Sequence, residues 1–125
     1  MTEINFDYVV ETLKRFTMST APFNESEIES NLIRFLKARH LPAISQVSVK
    51  NGRYDVLIGR IVIELKVRGQ RSVAEQLDRY SPNATGIILL CWKASKPTRI
   101  LFQLEKQTAK IPVELIEMNR NSDIV

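Results

Sequence analysis

Tyr54 to Val67 reads YDVLIGRIVIELKV, two apolar runs joined at Gly59-Arg60 and interrupted by Asp55, Glu64 and Lys66. Both runs have the length and β-branched content of strands, and Gly59 supplies a turn residue, so the stretch predicts a hairpin. Its second arm is apolar at nearly every position except Glu64 and Lys66. Such a strand belongs in a sheet covered on both faces, which demands flanking helices. Ionised side chains inside that sheet are costly unless they do chemistry or hold a cation. The same fourteen residues therefore point to an α/β fold and to a site within it.

Working outward, Ile44 to Lys50 predicts a preceding strand, with Asn51-Gly52 as the turn into Tyr54 to Ile58 and Arg60 to Val67 as the third strand. Upstream, Ile28, Leu32, Ile33, Phe35 and Leu36 form an apolar stripe capped by Asn24 or Ser26, running to His40 and stopped by Pro42. Val9, Val10, Leu13 and Phe16 predict an earlier amphipathic helix over Phe6 to Met18, within residues 1–20, broken by STAPFN. Downstream, Ser72 to Tyr80 predicts a helix, and Thr85 to Trp92, Arg99 to Leu104 and Val113 to Met118 predict strands. Asn119 to Val125 reads as a frayed tail. The expected architecture is one α/β domain over residues 1–125, a central mixed β-sheet flanked by helices, with additions at both ends.

Composition narrows the chemistry. With 125 residues, 44% hydrophobic and 26% charged, the chain suits a single domain with a modest core. A formal charge of +4 fits a polyanionic partner as well as an ordinary soluble protein. One cysteine, Cys91, and one histidine, His40, exclude an internal disulfide and a Cys/His zinc cluster. Cys91 lies in IILLCW and reads as a buried, inert thiol. His40 follows a helical segment, where an imidazole complements the dipole. The opening MTEINFDYVVE is neither a secretory signal nor a membrane span, so no membrane association and a cytoplasmic location are expected.

The chemistry must then rest on carboxylates and lysine. In a strand, residues two apart share a face about 7 Å apart, so Glu64 and Lys66 project together while Ile63, Leu65 and Val67 project oppositely. An antiparallel neighbour folded back at Gly59 brings Asp55 toward them. Two carboxylates with carbonyls and water suit Mg2+ or Mn2+ and not zinc. Lys66 beside such a cation can orient a water and neutralise developing charge. The alternative is a cross-strand ion pair on a solvated sheet face.

With Asp55 in one strand and Glu64-Leu65-Lys66 in the next, the chain resembles the PD-(D/E)XK nuclease superfamily, whose restriction-endonuclease-like core runs helix, three strands, helix, strand (αβββαβ). Tyr54 stands where proline gives that motif its name. The resemblance implies a Mg2+-dependent nuclease in which Asp55 and Glu64 are metal ligands, the Leu65 backbone carbonyl is a further ligand, and Lys66 is the catalytic lysine. Glu29 in ESNLIRFL is similar to an acid on a helix of archaeal Holliday-junction resolvases, implying an outer-shell ligand or water holder. Gln76 and Tyr80 in AEQLDRYS are similar to the Gln-any-any-any-Tyr pair of RecB-like nucleases, implying contact with the substrate backbone. The resemblance covers residues 25–92.

Lys50, Arg53, Arg60, Arg68, Arg71 and Arg79 lie around these positions and form a candidate rim for DNA phosphates. Each taken alone reads as a solvated charge. Trp92 at a strand end could stack a base but reads first as a partly buried core residue. The expected activity is hydrolysis of DNA phosphodiesters, structure-selective or end-processing, by a chain that a homodimer would equip with two sites. The rival expectation is a non-catalytic nucleic-acid-binding module on the same fold.

Overall fold

The computed structural model describes residues 4–49, 52–69 and 84–118. In chain order these form α1 (Phe6–Leu13), α2 (Glu25–Ala38), β1 (Ala43–Val49), β2 (Gly52–Ile58), β3 (Ile61–Gly69), β4 (Gly86–Ala94), α3 (Lys96–Thr108) and β5 (Val113–Glu117). The five strands make one mixed sheet in the order β1-β2-β3-β4-β5. β1, β2 and β3 pair antiparallel in sequence, whereas β3, β4 and β5 are parallel. The helix predicted over Ser72 to Tyr80, the Asn51 turn and the tail from Asn119 lie outside the described residues.

Hydrophobic burial on both faces explains the apolar character of β3 and β4. On one face Val9, Val10 and Leu13 of α1 and Ile28, Leu32 and Leu36 of α2 pack on Ile61, Ile63 and Leu65 of β3 and on Ile88 and Leu90 of β4. On the other, Phe102 of α3 packs with Val62, Ile87, Leu89 and Val113. Each fully buried side chain of this size contributes roughly 1.5–3 kcal/mol relative to exposure. Among the described residues, no helix is long and apolar enough to cross a membrane.

The helix ends follow from local chemistry. Asn24 caps α2 through a bond from the Glu27 N–H at 3.1 Å, selecting Asn24 over Ser26 as the cap. At its far end the Leu41 N–H bonds the Leu36 carbonyl and the His40 N–H bonds the Lys37 carbonyl. His40, at φ 61°, takes the left-handed position usually given to glycine. α1 stops at Leu13, short of the expected Met18, and the chain tightens into a turn that still delivers Phe16 to the core against Phe35.

The strand expected over Arg99 to Leu104 is corrected to the middle of α3. Ser95 caps this helix by accepting the Thr98 N–H, and Pro97 sits in its first turn, where a missing N–H is harmless. The cluster Ile100, Leu101, Phe102 and Leu104 looks like a buried strand. On a helix it spreads around the axis, so Phe102 is buried while Ile100 and Leu104 face solvent.

Glu117 at the end of β5 ties α3 to β4. It accepts two bonds from the Arg99 guanidinium, at 2.9 and 2.8 Å, and one from the Ala94 N–H at 2.8 Å. Burial alone would raise its carboxyl, but the Arg99 bond, the Ala94 amide and the charges of Arg99 and Lys93 outweigh it and hold the group below the usual range. A depressed carboxyl contributes stability above its unfolded value, about 4.3, and loses it as pH falls through the folded one. Arg99→Ala should therefore lower the melting temperature at pH 7 and converge on the parent near pH 2; a gap that stays constant with pH would contradict this ion pair's role.

Gly86 opens β4 beneath the Phe6 ring of α1, and a Cβ there would collide with that ring. Gly86→Ala should cost about 1–3 kcal/mol by overpacking, read as a lower urea midpoint with unchanged slope. An unaltered midpoint would show that α1 is not seated on β4.

Candidate metal centre

The sheet is forked where the predicted site falls. β2 and β3 pair at Ile58↔Ile61, Leu57↔Val62 and Val56↔Ile63, and there the ladder ends, although β2 extends back to Gly52 and β3 onward to Gly69. β1 keeps company with β2 as far as Val49↔Gly52, and β4 with β3 as far as Gly69↔Ala94. Gly59, at φ 60°, makes the tight turn at the closed end.

Asp55 and Glu64 are the first residues past the last β2–β3 pair. The Leu65 N–H donates to Asp55 Oδ2 at 2.9 Å. This side chain thus replaces a ladder bond and sets its carboxylate against the peptide joining Glu64 to Leu65. Glu64 is only 7% exposed, with Oε1 shielded from solvent. By the pleat it projects opposite to Ile63 and Leu65, which pack in the α1–α2 core. Asp55 thus reaches the backbone beside Glu64, through the Leu65 N–H.

The other predicted residues fall in three groups. Lys66, half-buried, has its Nζ 4.0 Å from Glu25 Oε1 at the start of α2. An ion pair this exposed contributes at most about 1 kcal/mol and leaves the ammonium mobile. Glu29, one turn further along α2, accepts a 2.6 Å hydrogen bond from Gln46 Nε2 on β1, so it is engaged one strand further out than the fork. Arg53 and Arg68 are exposed at the fork's open end, with Lys93 in register beside Arg68. Arg60 lies in the turn at the closed end, where its carbonyl accepts the Thr85 N–H. The expected basic rim is therefore divided between the two ends of the hairpin. Lys50, Arg71, Gln76, Arg79 and Tyr80 lie outside the described residues.

Among the described residues, Glu29, Asp55 and Glu64 do not form a group of three metal-ligating side chains. The donors that do meet at the fork, the Asp55 carboxylate and the Glu64–Leu65 segment, offer hard oxygen atoms, the kind that Mg2+ and Mn2+ take together with water. They fit such an ion in chemistry, with Asp55 Oδ1 outside the bond to Leu65. Cys91 is buried as expected, and Trp92 is half-buried.

Gln46 was not singled out by sequence reasoning. It has φ 55° in the middle of β1 and faces Asp55 in register, at the one step of the β1–β2 ladder that is not paired. Nothing in AISQVSV marks a left-handed residue, since glutamine lacks the short side chain that lets Asn and Asp favour that region. Compared with protein-family models, curated proteins and solved structures, the chain gives no significant match.

Asp55→Ala would strip the Leu65 N–H of its acceptor in a partly buried position, costing about 1–3 kcal/mol of unfolding free energy. Asp55→Asn, which keeps an acceptor oxygen, should recover most of that loss. Equal effects of the two variants in urea titrations would show that the bond is not formed in solution.

Proposed function

We propose that this chain is a Mg2+-dependent DNA endonuclease of the PD-(D/E)XK type. The observation that carries the reading is the Asp55 carboxylate bonded across the fork beside the buried Glu64, with Lys66 next on the same strand. A carboxylate buried in an apolar sheet, as Glu64 is, points to a role beyond stability. The order α2, β1, β2, β3, then β4 parallel to β3, supports the same core, with the helix between β3 and β4 resting on the sequence.

Asp55 and Glu64, with the Leu65 carbonyl, would hold the ion, for which Mn2+ could substitute. Magnesium, when bound, supplies positive charge to the phosphate and an activated water. Lys66 donates to a non-bridging phosphate oxygen and neutralises charge as it develops there; the loose Glu25 contact lets it swing to that position. Buried apolar neighbours around Glu64 exclude bulk water and strengthen each of these interactions. Arg53, Arg68 and Lys93 at the open end would hold the strand by its phosphates. A cytoplasmic homodimer acting on two strands is the assembly proposed with it.

The test is cleavage of labelled duplex, single-stranded and four-way DNA with Mg2+, Mn2+ or chelator. Metal-dependent cutting is expected, and Asp55→Ala, Glu64→Ala and Lys66→Ala should each reduce it by roughly two to three orders of magnitude, as losing one preorganised group does. DNA binding in chelator with no cleavage in either metal would replace this reading with a non-catalytic nucleic-acid-binding module. Neither binding nor cleavage would remove both.

A further inference from the structure

Gln46 stands at a point where two strands reverse their facing. On one side of it, Ala43 of β1 and Val56 and Ile58 of β2 belong to the α1–α2 core. On the other, Val47 and Tyr54 pack in the α3 core. Alternation would have kept Ala43, Ser45 and Val47 on one face, and Tyr54, Val56 and Ile58 on one face. The register is continuous across the step, Ser45↔Val56 and then Val47↔Tyr54, so no residue has been inserted. What differs at this step is the backbone of Gln46, which has a left-handed φ of 55°. Asp55 occupies the matching step on β2, and it is there that its side chain leaves the normal alternation and enters the fork to meet the Leu65 N–H.

A left-handed glutamine in a strand is strained by about 1–2 kcal/mol, and such strain persists only where neighbours over-determine it. Here the neighbour is Glu29. Its carboxylate accepts a short, charge-assisted bond from Gln46 Nε2 and fastens β1 to α2 at this residue.

We infer that Gln46, tethered by Glu29, is the positioning residue that turns Asp55 into the fork. Glu29 then serves the site through β1, as an anchor for Gln46. The consequence for cleavage rests on the nuclease reading above; the placement of Asp55 does not.

The measurement is the Leu65 amide in 15N-resolved NMR spectra of the full chain, with Asp55→Ala defining the shift and exchange rate of the unbonded amide. Gln46→Gly accepts the left-handed conformation and should keep the Leu65 signal near its parent position. Gln46→Val, whose branched side chain resists that conformation, should move the signal toward that of Asp55→Ala. Its exchange should quicken roughly tenfold to a hundredfold, as befits losing a bond to a charged acceptor, while Ile88 and Leu90 amides stay protected. If Gln46→Val does not fold, Glu29→Ala is read the same way: a shifted, faster-exchanging Leu65 amide supports the tether. A Leu65 signal unchanged in Gln46→Val, or in Glu29→Ala, or lost equally in Gln46→Gly and Gln46→Val, overturns the inference. Because the readout needs no metal or DNA, inactivity of the parent protein would refute the nuclease reading and leave this result standing.

Discussion

The hydrogen bond from the Leu65 N–H to Asp55 Oδ2 is the contact on which the arrangement of the site depends. An antiparallel pair that stops halfway leaves backbone donors facing a gap, and partly buried donors must be satisfied. The chain answers with a side chain in place of a ladder bond. That substitution fixes the width of the fork, holds an anionic group beside Glu64, and keeps β2 attached to β3 while β1 and β4 run on to either side.

The surrounding fold makes such a gap tolerable. β3 and β4 are held in long parallel register, and the apolar rows of α1, α2 and α3 cover both faces, so the sheet does not depend on full β2–β3 pairing. α2 carries the burden on the polar side. Its stripe of Ile28, Leu32 and Leu36 is fully buried, while Glu25 and Glu29, one turn apart, reach Lys66 on β3 and Gln46 on β1. One helix thus touches both sides of the fork. At the β5 edge of the sheet, Glu117 and Arg99 hold β5 and α3 to the end of β4.

Much of this was legible because it followed from periodicity. Ionic interruptions in an apolar run located β2 and β3, and Gly59 located their turn, since only a residue free of Cβ strain takes φ 60° easily. The expectation that β3 is covered on both faces followed from its unbroken apolar character. Period failed at Arg99 to Leu104, where three adjacent apolar residues fit strand and helix alike, and the deciding information lay upstream in the Ser95 cap and Pro97. The Glu29 contact was hidden for a different reason. The place of an acid on a helix is readable, but whom it meets depends on the tertiary position of Gln46, a residue whose backbone conformation no local pattern announces. The division of the basic rim was likewise a matter of hairpin geometry, because residues close in sequence to Gly59 end at the opposite tip of the sheet from Arg53 and Arg68.

Titration of the protein with Mn2+, followed by paramagnetic broadening of its backbone amides, addresses the central claim most directly, since it reports where a divalent ion sits whether or not any substrate is cut. With the ion held at the fork, the amides of Asp55, Glu64 and Leu65 should broaden first and together, and Asp55→Ala should abolish the effect. Broadening that begins around exposed acids such as Glu11 or Asp7, or that leaves the fork untouched at saturating Mn2+, would contradict that claim.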